Sequence, residues 1–405
     1  MSEKTSKSAD DDTPRSQTAL IVCLGLVAAL APLSIDMYLP SFPTIREEFG
    51  VTAAQVQLTL SGYMLGFTLG QLGYGPLSDR FGRRPILLSG IGLYIAMTIL
   101  CALATDTGVL SVYRFLQGVG GAAGTVLSRA IIRDNFSGNY MARAMSLMLM
   151  FILLAPMIAP VIGGYLLVWL GWRAIFWTLV ICGFIAVLVV LIGIKESLPP
   201  EKRTQPGIAP LLHGYSRVLT HRQALGYILS GGMTFGALFA FLSGAPFVFI
   251  EFYGVAPEHM GYIFTLNVLG VMAGGWLNSK LVITQGVREM MVTGIWLLFV
   301  GAVILYVLMA TDVFGVWGAI AGIVIFTLPL NIINANAASG ALEYFPDAAG
   351  TASAVVGAVR YGCGAISGVV VGLLHNGTAM PMAWVIIGCS VISIIFLTTM
   401  VRRNG

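Results

Sequence analysis

Three ionisable groups in this chain stand where their chemistry needs explaining. Asp36 sits in APLSIDMYLP, residues 31–40, inside an apolar stretch that opens near Thr18. A charged side chain deep in a bilayer costs about 2.5–3.5 kcal/mol on insertion scales, so a carboxylate kept there suggests a use. Arg114 lies in a second apolar stretch, and Arg360 in a third. A buried carboxyl is pushed towards its neutral form by desolvation and towards its ionised form by a nearby guanidinium. Paired with an arginine whose distance or solvent access changes, Asp36 could therefore take up and release a proton. Asp79 is different: it is an acid in the basic loop GPLSDRFGRRP, residues 75–85, and needs a fixed partner, for which a helix N-terminus in another part of the fold is one candidate.

The elements that must position these groups are membrane spans. Of 405 residues, 57% are hydrophobic and 10% charged, against about 25% charged in soluble domains. Stretches of about 20 apolar residues, enough to span, recur along almost the whole chain. We read twelve, at 18–41, 54–76, 85–104, 107–130, 143–167, 173–194, 223–249, 259–281, 290–310, 313–339, 348–374 and 379–401, an all-α integral membrane fold. Residues 1–17 are polar and of mixed charge, which predicts a disordered tail. The segment 195–222 is polar, basic and proline-containing. It divides the chain into an 18–194 bundle and a 223–401 bundle of six spans each, with a short tail at 402–405.

Charge placement orients this map. Of the 22 Lys and Arg, Arg46 and Arg173 fall in loops on one face and Arg114 and Arg360 within spans. All the others fall in segments on the opposite face. That imbalance puts both termini and the linker in the cytoplasm. The net charge of +4 then has a topological origin, and no nucleic-acid partner is expected. The halves also echo one another: GPLSDRFGR (75–83) and GWLNSKLVITQGVR (275–288) each follow the second span of their half. Two six-span repeats of this kind are a transporter signature.

Other chemistries find no support. Cys23, Cys101, Cys182, Cys363 and Cys389 all lie in apolar segments, with no CxxC pair and no partnering histidine, which weakens disulfide and metal readings. No GxxxxGK[ST] phosphate loop occurs, and GVGGAAG (118–124) lies within a span, where glycines serve helix packing. No nucleophile–base constellation stands out, so an enzyme is not expected.

At this point the chain resembles the major facilitator superfamily, specifically its twelve-span drug:proton antiporters. The loop Gly75-x-Leu77-Ser78-Asp79-Arg80-x-Gly82-Arg83 looks like the signature between helices 2 and 3. Leu110-x-x-x-Arg114-x-x-Gln117-Gly118-x-Gly120-Gly121 resembles the helix 4 motif. Ala155-Pro156-x-x-Ala159-Pro160-x-x-Gly163-Gly164 resembles the antiporter motif of helix 5, with Ala159 where the family usually has glycine. LSIDMYLPSFP (33–43) and FPDAAGTASA (345–354) look like the bicyclomycin-resistance (Bcr/CflA) subfamily of multidrug exporters. The resemblance implies a monomer in the bacterial inner membrane, exchanging protons for small amphipathic drugs by alternating access, with no cofactor beyond the proton gradient. It also implies that helices 1, 4, 7 and 10 line a central cavity.

Depth along the spans is compatible with that. At about 1.5 Å per residue, Asp36 and Arg114 lie about 8 and 10 Å inside the same outer edge. If spans 1 and 4 face each other, the two could interact directly or through water. We assign Asp36 and Arg114 to proton coupling; Gly75, Asp79, Arg80, Gly82 and Arg83 to a cytoplasmic gate; and Pro156, Pro160, Gly163 and Gly164 to a kinked, closely packed gating helix. Tyr38, Gln117, Phe235, Phe239, Asn331 and Asn334 are candidates for a pocket with apolar walls and few polar anchors. The plainer alternatives are that Asp36 ends span 1 before Pro40, and that Arg114 holds backbone carbonyls. Export of an endogenous metabolite or amino acid is the rival within transport; a passive channel or receptor is the rival outside it.

Overall fold

A computed structural model describes residues 14–203, 208–346 and 348–401. Fourteen helices account for the fold, and no strand occurs among the described residues. The first half comprises α1 (Pro14–Asp36), the short α2 (Phe42–Phe49), α3 (Ala53–Phe81), α4 (Arg83–Ala102), α5 (Thr107–Asn135), α6 (Gly138–Leu170) and α7 (Trp172–Gly193). The linker carries α8 (Ile208–Thr220). The second half comprises α9 (Arg222–Pro246), α10 (Met260–Gln285), α11 (Val287–Thr311), α12 (Gly315–Leu342), α13 (Ala349–Leu374) and α14 (Met380–Met400).

Among the described residues, eleven helices are long and apolar enough to cross a membrane. The twelfth span, α3, is 29 residues long but is not among them, because it is too polar. Its Gln57, Thr59, Ser61, Thr68 and Ser78 are buried inside the protein rather than turned to lipid. Protein surrounds them, so they carry no cost of exposure to hydrocarbon. At its start Thr52 forms a capping box with Gln55, which satisfies the first free N–H groups.

Three boundaries differ from the sequence reading. Helix α1 begins at Pro14, so the last residues assigned to the tail are helical; proline suits a first turn because its missing N–H would be unpaired there anyway. Residues 1–13 and 402–405 lie outside the described residues. The α-helical part of the first span ends at Asp36, not near Ser41. A turn and a 3-10 segment, Leu39–Ser41, follow, with Pro40 in that segment and Pro43 opening α2. Finally, much of the linker is helix α8, whose Tyr215 hydroxyl donates to the Leu72 carbonyl at 2.9 Å and ties the linker to α3.

The halves meet along two seams, α3 against α13 and α6 against α10. We call the face carrying the linker the linker face and the opposite one the far face. Near the far face the halves are joined: Gln57 Nε2 donates to the Ser243 carbonyl at 3.0 Å, and Ser61 Oγ to the Ala365 carbonyl at 2.9 Å. Arg46 and Glu251 form an ion pair of 2.8 Å across the same junction. On the linker face the halves part around a cavity of about 480 Å³.

Candidate functional site

Asp36 is the last residue of α1 and is 5% exposed. Among the described residues its carboxylate has no hydrogen bond and no ion pair. Tyr63 on α3 and Tyr361 on α13 lie within its electrostatic reach.

Arg114 does not pair with it. The guanidinium is fully buried; Nη1 donates to the Ser34 carbonyl at 3.1 Å and to Gln117 Oε1 at 2.8 Å. Gln117 Nε2 in turn donates to Thr98 Oγ1 at 2.8 Å. The rings of Tyr38, Tyr63 and Phe176 lie 4.6, 4.5 and 5.8 Å from the guanidinium carbon. Cation–π contact of this kind is worth up to about 2 kcal/mol when desolvated. Arg114 Nε and Nη2 have no hydrogen-bond partner. The contact with Ser34 is the one the structural alternative for Arg114 requires, and it holds the arginine on a carbonyl two residues before Asp36 on α1. Tyr38 and Gln117, candidates for a ligand pocket, are fully buried in this same cluster, and the Tyr38 hydroxyl shares a hydrogen bond of 2.7 Å with Thr59. Neither faces an open cavity in this conformation.

The remaining pocket candidates separate. Phe235 and Phe239 pack together, ring centroids 4.9 Å apart, and against Tyr361 at 5.0 and 6.4 Å. Tyr361 bridges to Phe67 on α3 at 4.5 Å, so this aromatic cluster spans both halves. Asn331 is half-buried against Gly275 of α10, away from the cluster. Asn334 is half-buried and its Oδ1 is enclosed without a hydrogen-bond partner.

The loop after α3 is a knot of charge. Gly82 takes φ +99°, a conformation glycine adopts without strain, and the chain turns there into α4. Arg83, 4% exposed, pairs through Nη1 with Asp79 at 2.6 Å and through Nε with Asp134 of α5 at 2.9 Å. Its Nη1 also donates to Ser78 Oγ at 2.6 Å. The Arg83 and Arg84 backbone N–H groups donate to the two carboxylate oxygens of Glu196 at 2.9 and 3.2 Å. Glu196 thus caps α4 where the loop supplies no side-chain cap. Arg80 lies over the Phe81 ring at 5.0 Å, and Gly75 borders the cavity. The direct partner of Asp79 is therefore Arg83 in its own half. The N-terminal turn of α13, from the other half, lines the same cavity through Gly350 and Thr351.

On α6, a Cβ at Gly163 would collide with the Met37 carbonyl just after α1, and one at Gly164 with the Pro257 carbonyl of the second half. The adjacent glycines thus face one half each. Pro160 is buried and Pro156 half-buried, and Ala159 is fully buried, its methyl accommodated where the family usually has glycine. Sequence reasoning missed Asp134, Glu196, Glu251, Tyr63, Tyr361 and the cavity position of Arg129. Only the polarity of span 2 signalled that α3 lies inside the protein.

Residues 24–369 match the family model of the Major Facilitator Superfamily. The chain belongs to the major facilitator superfamily. It is 34% identical to a bicyclomycin resistance protein homolog of Haemophilus influenzae, over 96% of this chain and 98% of that protein. It is 35% identical to the uncharacterized MFS-type transporter YdgK of Bacillus subtilis, over 97% and 98%. A chloramphenicol resistance protein of Pseudomonas aeruginosa is 31% identical over 93% and 91%. Among solved structures, the xylose transporter XylE from E. coli in a partially occluded inward-open conformation superposes with a TM-score of 0.76. It is 15% identical, over 96% of this chain and 99% of that one. The chain is thus a multi-pass membrane transporter of small molecules, and its fold and family are those of transporters rather than enzymes.

Proposed function

We propose that this transporter is a proton-coupled exporter of small amphipathic compounds, a drug:proton antiporter of the bicyclomycin- and chloramphenicol-resistance type. It would work alone in the bacterial inner membrane, with the linker face and both termini in the cytoplasm and no cofactor. The observation that carries this reading is the buried, unpartnered carboxyl of Asp36 at the end of α1. It sits beneath a closed far face, two residues after Ser34, whose carbonyl holds Arg114. A lone buried carboxylate is costly, and a proton is the neutralising partner this arrangement leaves room for.

The exchange follows from the two faces. With the far face closed and the linker face parted, cargo enters from the cytoplasm while Asp36 holds its proton. Rocking the halves about the α3–α13 and α6–α10 seams would open the far face and close the linker face. The glycines of α6 let it slide against both α1 and the second half as this happens. In the opened state, Arg114 and water gain access to Asp36, and its proton exchanges with the far side.

The test is uphill movement of radiolabelled chloramphenicol in proteoliposomes with an imposed pH gradient, abolished by a protonophore. Gradient-dependent movement supports the reading. Downhill equilibration unaffected by the protonophore would point to a passive pathway. Competition by an amino acid or another metabolite would point to an endogenous cargo.

A further inference from the structure

A groove opens between α11 and α14 on the outer side of the second half, at its linker end. It encloses about 420 Å³ and is lined by Arg288, Thr293 and Trp296 of α11 and by Ile394, Leu397 and Thr398 of α14. Arg288 is the second residue of α11, and Trp296 lies about 12 Å further along the same axis. One end of the groove is therefore charged and the other apolar. Trp296 is 51% exposed, so the apolar end looks outward to lipid.

Arg288 is held less firmly than arginines elsewhere in the protein. Its Nε is enclosed without a hydrogen-bond partner, and Glu289 Oε1 stands 3.6 Å from its Nη1, beyond hydrogen-bond reach. Arg46, Arg83 and Arg173 each hold a carboxylate at 2.5–2.9 Å. The echoing first half shows what has been left open. Arg84 stands two residues after Gly82, as Arg288 does after Gly286, and the two glycines share a positive φ, +99° and +89°. Arg84 Nη2 donates to the Leu191 carbonyl of α7 at 2.8 Å, closing the matching seam between α4 and α7. The Glu196 carboxylate takes the first N–H groups of α4. Among the described residues, Arg288 makes no hydrogen bond to α14, and no side chain caps α11. The start of α11 thus keeps free N–H groups and the positive end of its dipole beside the guanidinium. Arg222 Nη2, on the Thr399 carbonyl at 2.7 Å, adds a second guanidinium next to Thr398. The sequence continues past α14 with Arg402 and Arg403. Glu289 is the opposing carboxylate at the mouth, and its side chain is 57% exposed to solvent.

The ligand that fits is an anion with a long apolar body, entering from the bilayer. We propose that this groove binds an anionic phospholipid. Its phosphodiester sits on Arg288 and the start of α11, its ester groups lie level with the Thr293 hydroxyl, and one acyl chain runs along Trp296, Ile394 and Leu397. Arginine's planar fork suits the two free oxygens of a phosphodiester. A zwitterionic lipid brings its own cation to the same mouth, where the guanidinium groups repel it. Basic pockets between spanning helices select head groups in this way. Bound lipid ties α11 to α14, as Arg84 ties α4 to α7. The site lies within the second half and is independent of cargo and of proton coupling.

The test is native mass spectrometry of the purified full-length protein released from detergent, titrated with phosphatidylglycerol or with phosphatidylcholine of the same chains. Wild type is expected to bind phosphatidylglycerol about fivefold more tightly, the effect of one well-placed arginine. Arg288→Gln should remove most of that preference and leave phosphatidylcholine unchanged. Glu289→Gln, which takes away the competing carboxylate, should strengthen it. Inorganic phosphate at about 10 mM should not displace the lipid, since the acyl chain carries part of the binding. Should Arg288→Gln fail to fold, wild type still decides. A phosphatidylglycerol with a diazirine in its acyl chain should label peptides covering 287–298 and 391–400 in excess over the matching phosphatidylcholine. The proposal is overturned if wild type shows no preference for phosphatidylglycerol, or if the preference survives in folded Arg288→Gln. It is equally overturned if phosphate alone displaces the lipid, or if the label spreads evenly over the spans.

Discussion

Arg46 on α2 reaches Glu251, on the π-helical segment Phe247–Phe252 that continues α9, with Nη1 and Oε2 2.8 Å apart. The pair joins the two halves at the far face, and the Arg46 guanidinium also lies over the Phe247 ring at 5.9 Å. Both side chains are partly exposed, so the bond itself contributes about 0.2–1 kcal/mol. That is enough to bias a two-state opening by up to about fivefold. Glu251→Lys should therefore raise the rate at which a thiol-reactive probe reaches a cysteine placed at Ser61. Exchanging the charges, Arg46→Glu with Glu251→Arg, should return the rate towards wild type. An unchanged rate in Glu251→Lys would mean that the pair takes no part in closure.

His375 gives the same face a pH dependence. It stands between α13 and α14 against Phe247, ring centroids 5.2 Å apart. Burial, and secondarily the nearby Arg46 charge, hold its imidazole below the usual histidine range. The sign follows: the closed face holds His375 neutral, so closure is undisturbed above the ordinary histidine value of about 6.5. It loses stability as pH falls through that value, because the opened face accepts the proton more readily. Glu251 is the carboxylate that faces Arg46 here and moderates the effect. Only the thiolate reacts, so each rate is divided by that of a free thiol at the same pH; on that scale labelling at a Ser61→Cys site should speed up between about pH 7 and pH 5, and His375→Gln should flatten the response.

Asp36 carries the proton-coupling proposal, and replacing it separates coupling from folding. Asp36→Asn keeps the shape and removes the titration. With no ion pair to break, the variant should fold with thermal stability close to wild type. Gradient-driven chloramphenicol accumulation in proteoliposomes should fall to the level of empty liposomes, while binding without a gradient persists. Full accumulation by Asp36→Asn would place the proton elsewhere.

Eleven apolar runs, the two halves and the basic face were legible in the sequence because bilayer thickness and charge asymmetry act on local composition. The polar span α3 was legible by its place in the pattern, though Gln57 and Ser61 showed nothing of the contacts they make with Ser243 and Ala365. Depth arithmetic put Asp36 and Arg114 at one level but could not show direction. Arg114 turns instead to the Ser34 carbonyl and to Gln117, one turn along its own helix. Arg129 looked like one more cytoplasmic positive charge, since only the packed halves reveal that its end of α5 borders a cavity. Asp134 and Glu196 were invisible for a simpler reason: they lie 51 and 113 residues from Arg83.

Close packing of α6 makes a further test. A methyl at Gly163 would meet the Met37 carbonyl directly after Asp36, and backbone there cannot move without shifting the end of α1. Gly163→Ala should cost about 1–3 kcal/mol, the usual range for overpacking, read as a lower unfolding temperature in detergent. Any residual transport should be slow and leaky to protons. Gly75→Ala, where a Cβ would find open space, is the matched control and should leave stability near wild type.

The loop after α3 holds a network of ion pairs and hydrogen bonds, and its members should not be equivalent. Arg83 serves Asp79, Asp134 and Ser78 at once. Removing it leaves two carboxylates without their cation. Breaking a buried pair in this way typically costs about 3–5 kcal/mol; with Asp79 partly exposed, the lower end is expected for Arg83→Ala. Arg83→Lys restores charge but not the fork that reaches Nε to Asp134 and Nη1 to Asp79, so it should recover only part of the loss. Asp79→Asn leaves Arg83 held by Asp134 and should be milder in stability, yet it alters the wall of the cavity. If the loop acts as a gate, Asp79→Asn should change transport more than it changes the unfolding temperature, whereas a purely structural loop would move the two together. Measuring both in the same preparation, with Arg83→Ala as the structural reference, distinguishes these outcomes.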